Sequence, residues 1–142
     1  MLFYGTSTPA REQVLSGLES AGAQVMRVFG LFGAERDALI ARAKIIINLH
    51  QHHTKIFEIV RVHYLMNNRK AILTQCDPDT RMDDRYRDGM MLARHDQLVE
   101  TCMAVLRSPE TLRQYEDRAL HTLQRFDAVQ IMGAMLQADA SA

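Results

Sequence analysis

Three histidines, His50, His52 and His53, crowd a short polar stretch between an unbroken β-branched run, Ile45-Ile46-Ile47, and an apolar helical pattern. A histidine there can donate or accept a hydrogen bond or move a proton near neutral pH. His50 is the candidate catalytic acid or base; a polar loop with a capping histidine is the plainer alternative. As metal ligands the three are badly arranged. Adjacent His52 and His53 cannot both aim at one ion, the stretch holds no Asp, Glu or Cys, and only Glu58 could turn toward it. No metal site is expected.

A second candidate is Gly5-Thr6-Ser7-Thr8-Pro9, with Arg11 shortly after. Backbone N–H groups, hydroxyls and a guanidinium at a helix N-terminus can cradle a phosphate or diphosphate, and an ordinary capped turn uses the same residues. Neither a Walker-type glycine-lysine motif nor a Gly-x-Gly-x-x-Gly pattern is present. Glu58 and Arg61, three apart, can form a local ion pair or divide their labour between ligand hydroxyls and a phosphate. Arg81, Arg85 and Arg87 read as a solvated loop close enough to strand ends to assist an anion. Cys102 belongs to an apolar helical face, and no Cys-His or Ser-His spacing argues for nucleophilic catalysis.

The elements needed to position these groups alternate between strand and helix. Met1–Tyr4 reads as a first strand, and Thr8 and Pro9 open a helix with Val14, Leu15 and Leu18 inward, stopped at Gly22. Residues 24–29 form the second strand; 34–43 form a short helix with Ala38, Leu39 and Ala41 inward. Ile45–Ile47 has the continuous apolar character of a strand buried on both faces. Thr54 is the expected cap of the next helix, whose apolar positions are Ile56, Phe57, Ile59, Val60, Val62 and Leu65. Strands over 70–75 and 89–93 follow, separated by a polar loop. Asp96 is the expected cap of a helix carrying Leu98, Val99, Cys102, Val105 and Leu106. Ser108-Pro109 restarts a helix through Leu112, Tyr115, Ala119, Leu123 and Phe126. A last amphipathic piece spans 129–136, and 138–142 should fray. Such alternation predicts one doubly wound α/β domain with a parallel sheet of about five strands in the order 2-1-3-4-5, Rossmann-like, over residues 1–107, and a helical tail over 108–142 that packs on the domain or on a partner. In that order the loops at 5–8 and 48–54 flank the switch-point crevice, where such sheets hold ligands.

Composition narrows the classes of function. The 142 residues are 47% hydrophobic and 24% charged, with zero net charge, which gives no support to a nucleic-acid or membrane-surface partner. No apolar run reaches the length of a membrane span, and the N-terminus lacks a signal peptide's pattern. Two distant cysteines give no disulfide framework, so a reducing cytoplasm is the expected location. Arginines outnumber lysines fourteen to three; the bias suits phosphate recognition, and a GC-rich coding sequence produces it equally well.

Taken together, Leu2-Phe3-Tyr4-Gly5-Thr6, Lys44-Ile45-Ile46-Ile47-Asn48-Leu49-His50, Ile56-Phe57-Glu58-Ile59-Val60-Arg61 and Lys70-Ala71-Ile72-Leu73-Thr74, followed by the cadence from Tyr86 through Leu98-Val99-Glu100 to Leu106 and Arg113, resemble the C-terminal, nucleotide-sugar-binding half of GT-B glycosyltransferases, in particular the bacterial spore-maturation-type glycosyltransferase-like proteins. The resemblance covers roughly residues 1–126. It implies a nucleoside diphosphate sugar as donor and no essential metal or cofactor. By that likeness Gly5, Thr6 and Arg11 approach the diphosphate, His50 and the following loop the sugar or phosphate, and Glu58 and Arg61 the nucleotide or sugar hydroxyls. Asn48, His53 and Gln75 complete the donor-binding set. Many relatives end the fourth strand in a glutamate where this chain has Gln75-Cys76. Met1 begins directly on the first strand, so the acceptor-binding half is expected to be supplied by a separately encoded N-terminal domain or by a homodimer. The other readings are a non-catalytic nucleotide-sugar-binding or regulatory remnant, and an unrelated flavodoxin-like structural or interaction domain.

Overall fold

The computed structural model describes residues 1–51 and 56–126. His52, His53, the expected cap Thr54 and the segment 129–142 lie outside the described residues. Strands β1 (Leu2–Tyr4), β2 (Met26–Val28), β3 (Ile45–Asn48), β4 (Ala71–Gln75) and β5 (Met91–Ala93) form one parallel sheet in the order β2-β1-β3-β4-β5. This is the doubly wound, Rossmann-like arrangement expected. Every residue of β3 and β4 is buried, as a strand covered on both faces requires. Alternation sorts their side chains: Ile45 and Ile47 join a core with Phe3, Leu73 and Leu98, whereas Ile46 points the other way to meet Leu2, Ile72 and Leu65.

The first of these cores is covered by α1 (Pro9–Ser20) and α4 (Leu98–Leu106), and the second by α2 (Gly33–Arg42) and α3 (Ile59–Asn67). Thr8 caps α1 by accepting from Arg11 N at 3.3 Å, with Pro9 in its first turn, and Val14, Leu15 and Leu18 face inward as expected. Three local expectations fail. In α2 the buried residue is Ile40, with Ala38 and Ala41 exposed and Leu39 half-buried. Burying the larger side chain removes more apolar area from water, and this sets the helix rotation. Helix α3 starts at Ile59: Phe57 is buried, but Ile59 N donates to Phe57 O at 2.9 Å and Ile56 bridges to Arg81. The chain enters the helix through an extended turn, leaving Ile56, Ile59 and Val60 exposed. Finally, Asp96 lies inside a 3-10 turn, His95–Gln97, that leads into α4, so it caps nothing.

Between β4 and β5 the connection is a single 3-10 turn, Asp84–Gly89, in place of a full crossover helix. The last helix among the described residues, α5 (Pro109–Gln124), fills the space this leaves. Ser108 caps it through Thr111 N, and Leu112 and Tyr115 pack on the α1/α4 core. Farther along, Ala119 and Leu123 join the α3 core, and Phe126 stacks 4.6 Å from Tyr86. Over the described residues its apolar face therefore packs on the same domain. Cys102 is buried in the first core, where burial pushes its thiol up to about 11, as expected for a packing cysteine. No described helix is long and apolar enough to cross a membrane.

Candidate functional site

The loops after β1, β2 and β3 and the start of α3 meet at the carboxyl end of the sheet, around a cleft of about 770 Å³. Gly5 sits at its base with φ +146°, a backbone conformation that an L side chain rarely adopts, and its N–H closes onto Val28 O at 2.9 Å. A Cβ here would stand 3.5 Å from Arg61 Nη2 and 3.6 Å from Arg11 Nη1, so the space tolerates it and the backbone does not. Gly5→Ala is expected to cost about 1–3 kcal/mol of stability, read as a lowered midpoint in urea unfolding.

Arg11 is only 1% exposed, and its guanidinium is spent on the chain itself. Nη1 donates to Thr6 O (2.8 Å), Nε to His50 O (3.2 Å), and Nη2 to Leu49 O (2.6 Å) and Glu58 Oε1 (3.4 Å). Burial draws its pKa down and Glu58 opposes that shift. Arg11 thus ties the loop after β1 to the loop after β3; the expected phosphate clamp is a crossbrace behind the crevice. Two guanidiniums line the cleft, that of Arg36, paired with Asp37 at 2.8 Å, and that of Arg61. Arg61 Nη1 reaches Glu58 Oε2 at 2.9 Å and Asn48 Oδ1 at 3.5 Å, and its Cζ lies 4.7 Å from the Tyr4 ring centre. Among the described residues its Nη2 donates to none. The guanidiniums of Arg11 and Arg61 against the one carboxylate of Glu58 leave one net positive charge there. Burial holds the Tyr4 phenol above its usual range, so Tyr4 faces the cleft uncharged.

The structure divides the expected residues. Gly5, Thr6, Glu58 and Arg61 line the cleft, with Arg11 and Asn48 buried behind them. His50 and Gln75 are outside its lining and belong to an adjoining hydrogen-bonded network at the ends of β3 and β4. There His50 N donates to Gln75 Oε1 at 3.3 Å, and Gln75 Nε2 donates to Asp77 Oδ2 at 2.8 Å. Asp77 N donates to Thr80 Oγ1 at 3.0 Å, and Thr80 Oγ1 meets His50 Nε2 at 3.0 Å. The loop arginines go to close neighbours, Arg85 to Asp83 at 2.6 Å and Arg87 to Asp84 at 2.6 Å, rather than to the crevice. No group of His, Cys, Asp and Glu that could hold a metal occurs among the described residues.

Sequence reasoning missed two features. Phe29 and Phe32 stand 77% and 78% exposed on the rim of the cleft, with Val60 opposite at 82%. Apolar side chains left so open beside a charged pocket suit a flat ligand surface. The signal was Phe-Gly-Leu-Phe-Gly at 29–33, two aromatics on a turn where no core could claim both. Thr80 carried no sequence signal, because its role depends on His50, thirty residues away.

The fold and crevice together define a doubly wound, Rossmann-like α/β protein with an anion-tolerant cleft at the strand ends. No family model matches the chain. It is similar to the uncharacterized protein L140 of Acanthamoeba polyphaga mimivirus, 26% identical over 125 residues, which cover 86% of this chain and 41% of that protein. The chain spans about two-fifths of the length of that relative.

Proposed function

We propose that the chain is the donor-binding half of a GT-B-type glycosyltransferase-like protein and holds a nucleoside diphosphate sugar in the cleft at the carboxyl ends of β1 and β2. The observation that carries this reading is the pairing of a guanidinium, Arg61, with an exposed aromatic rim, Phe29 and Phe32, around one cavity of about 770 Å³. An anion alone needs no aromatic rim, and an apolar ligand needs no arginine. A nucleotide uses both, since stacking a base on an aromatic ring contributes about 1–3 kcal/mol and guanidinium–phosphate bonds supply orientation. Glu58, braced by two arginines, can accept from ribose or sugar hydroxyls. Transfer of the sugar needs an acceptor and a water-excluding second wall. That wall is assigned to another domain or a second copy.

Calorimetric titration with UDP, GDP, their sugars and inorganic phosphate tests the reading. Selective heat with a nucleotide is expected, weakened about tenfold to a hundredfold in Arg61→Ala, the worth of hydrogen bonds to a charged group. Silence with every nucleotide at millimolar concentration, or equal binding of plain phosphate, overturns it.

A further inference from the structure

Tyr4 is the last residue of β1, and alternation along that strand turns its ring away from Phe3, onto the core that α2 and α3 cover. Its side chain reaches the cleft wall that it shares with Gly5, Arg36, Glu58, Arg61 and Tyr64. Each of the two tyrosines carries a guanidinium on the face of its ring. Arg61 Cζ lies 4.7 Å from the Tyr4 centre, and Arg36 Cζ lies 4.9 Å from that of Tyr64.

Two donors in this wall have nothing to bond. Among the described residues the Tyr4 hydroxyl makes no hydrogen bond. Every buried side-chain nitrogen or oxygen among them has a partner, so the Tyr4 oxygen is one that solvent reaches. The second donor is Arg61 Nη2, held over the base of the cleft, 3.5 Å from where a Cβ on Gly5 would stand. The charges that act on the hydroxyl are Arg61 and Arg36 against Glu58, with the Tyr64 phenol close by. A guanidinium N–H can only donate, and a phenol has one proton to give. A ligand hydroxyl would bring a further proton in need of an acceptor. A phosphoryl oxygen brings none, accepts from both donors and matches the positive balance of charge.

We propose that Tyr4 is a ligand-binding residue whose hydroxyl, together with Arg61 Nη2, donates to one phosphoryl group at the base of the cleft. The ring and the hydroxyl have separate roles: the ring's face holds the guanidinium, and the hydroxyl completes the pair of donors. The fit to a phosphoryl group stands on the geometry; that the group belongs to a nucleoside diphosphate rests on the function proposed above.

The test is calorimetric titration of the full chain and of Tyr4→Phe with inorganic pyrophosphate and with UDP. Phenylalanine keeps a ring under Arg61 and removes only the oxygen. Both probes are expected to bind the wild type and to bind Tyr4→Phe about tenfold to a hundredfold more weakly. NMR of the chain labelled at tyrosine ¹³Cζ, with the Tyr4 signal identified by its loss in Tyr4→Phe, gives a readout that a packing role would not move. Bound pyrophosphate should raise the titration midpoint of Tyr4, because an anion beside the oxygen disfavours phenolate, and leave Tyr86 and Tyr115 unchanged. Unweakened binding in Tyr4→Phe, or a midpoint that stays put when a probe binds, overturns the proposal. The two probes keep it apart from the donor-site reading. Equal binding of pyrophosphate and UDP, weakened alike in Tyr4→Phe, defeats the nucleotide function and supports Tyr4. Selective binding of UDP that ignores Tyr4→Phe does the reverse, and silence with both probes at millimolar concentration overturns both.

Discussion

Arg11→Ala is expected to destabilise the fold by about 3–5 kcal/mol, the usual cost of breaking a buried charged network from one side. Three backbone carbonyls, Thr6 O, Leu49 O and His50 O, take their hydrogen bonds from this one guanidinium. Truncation strands them at the base of the crevice and removes the brace between the loops after β1 and β3. Glu58 keeps Arg61 at 2.9 Å, so the loss falls on the carbonyls more than on the carboxylate. Lysine at this position supplies a charge without the planar fork that spans three acceptors, so Arg11→Lys should recover only part of the loss. Thermal unfolding followed by circular dichroism reads the effect as a drop of roughly 10–20 °C in Tm for the alanine variant. A change within a degree or two would mean that the two loops are held by something other than Arg11.

Phe3→Ala should cost a similar amount, about 3–5 kcal/mol, for a different reason. Phe3 is 2% exposed in the middle of β1 and joins the core that α1 and α4 cover. The Arg11 guanidinium carbon lies 5.3 Å from the centre of its ring, and the ring's outer edge would come within 3.7 Å of a Cβ on Gly5. Removing the ring leaves a cavity directly beneath the brace. The two losses should therefore not add: in the double variant the total should depart from the sum by about 0.5–3 kcal/mol, as contacting residues do. Denaturant unfolding of both single variants and the double variant closes the cycle. Strict additivity would show that the core and the crevice wall are independent, against the packing seen here.

These two expectations mark the boundary between what the chain announces and what it conceals. The order of elements was legible because each rests on local chemistry. Ile45-Ile46-Ile47 reads as a strand buried on both sides, Thr8-Pro9 and Ser108-Pro109 announce helix starts through capping and a preset φ, and alternation of strand with helix favours parallel pairing. The strand order 2-1-3-4-5 and the crevice it creates followed from those elements. Errors clustered where local pattern competed with tertiary packing. Ile56, Ile59 and Val60 have helical apolar spacing yet stay exposed, because the bridge between Ile56 and Arg81 pulls the chain into an extended turn before α3. The sequence leaves the helical tail open between packing on the domain and packing on a partner; the short 3-10 connection between β4 and β5 leaves room for α5 on this domain.

For the site, the sequence by itself determined which residue types gather at the strand ends: glycine and threonine after β1, asparagine at the end of β3 and histidine after it, glutamate and arginine at the start of α3. It could not determine which of two arginines faces the cleft. That depended on three carbonyls from two distant loops converging on Arg11, which only the folded chain brings within 2.6–3.2 Å. The partnership of His50 with Thr80 was hidden for the same reason. Short-range signals record the conformational preference of each segment, whereas hydrogen bonds between loops exist only once the sheet has set those loops side by side.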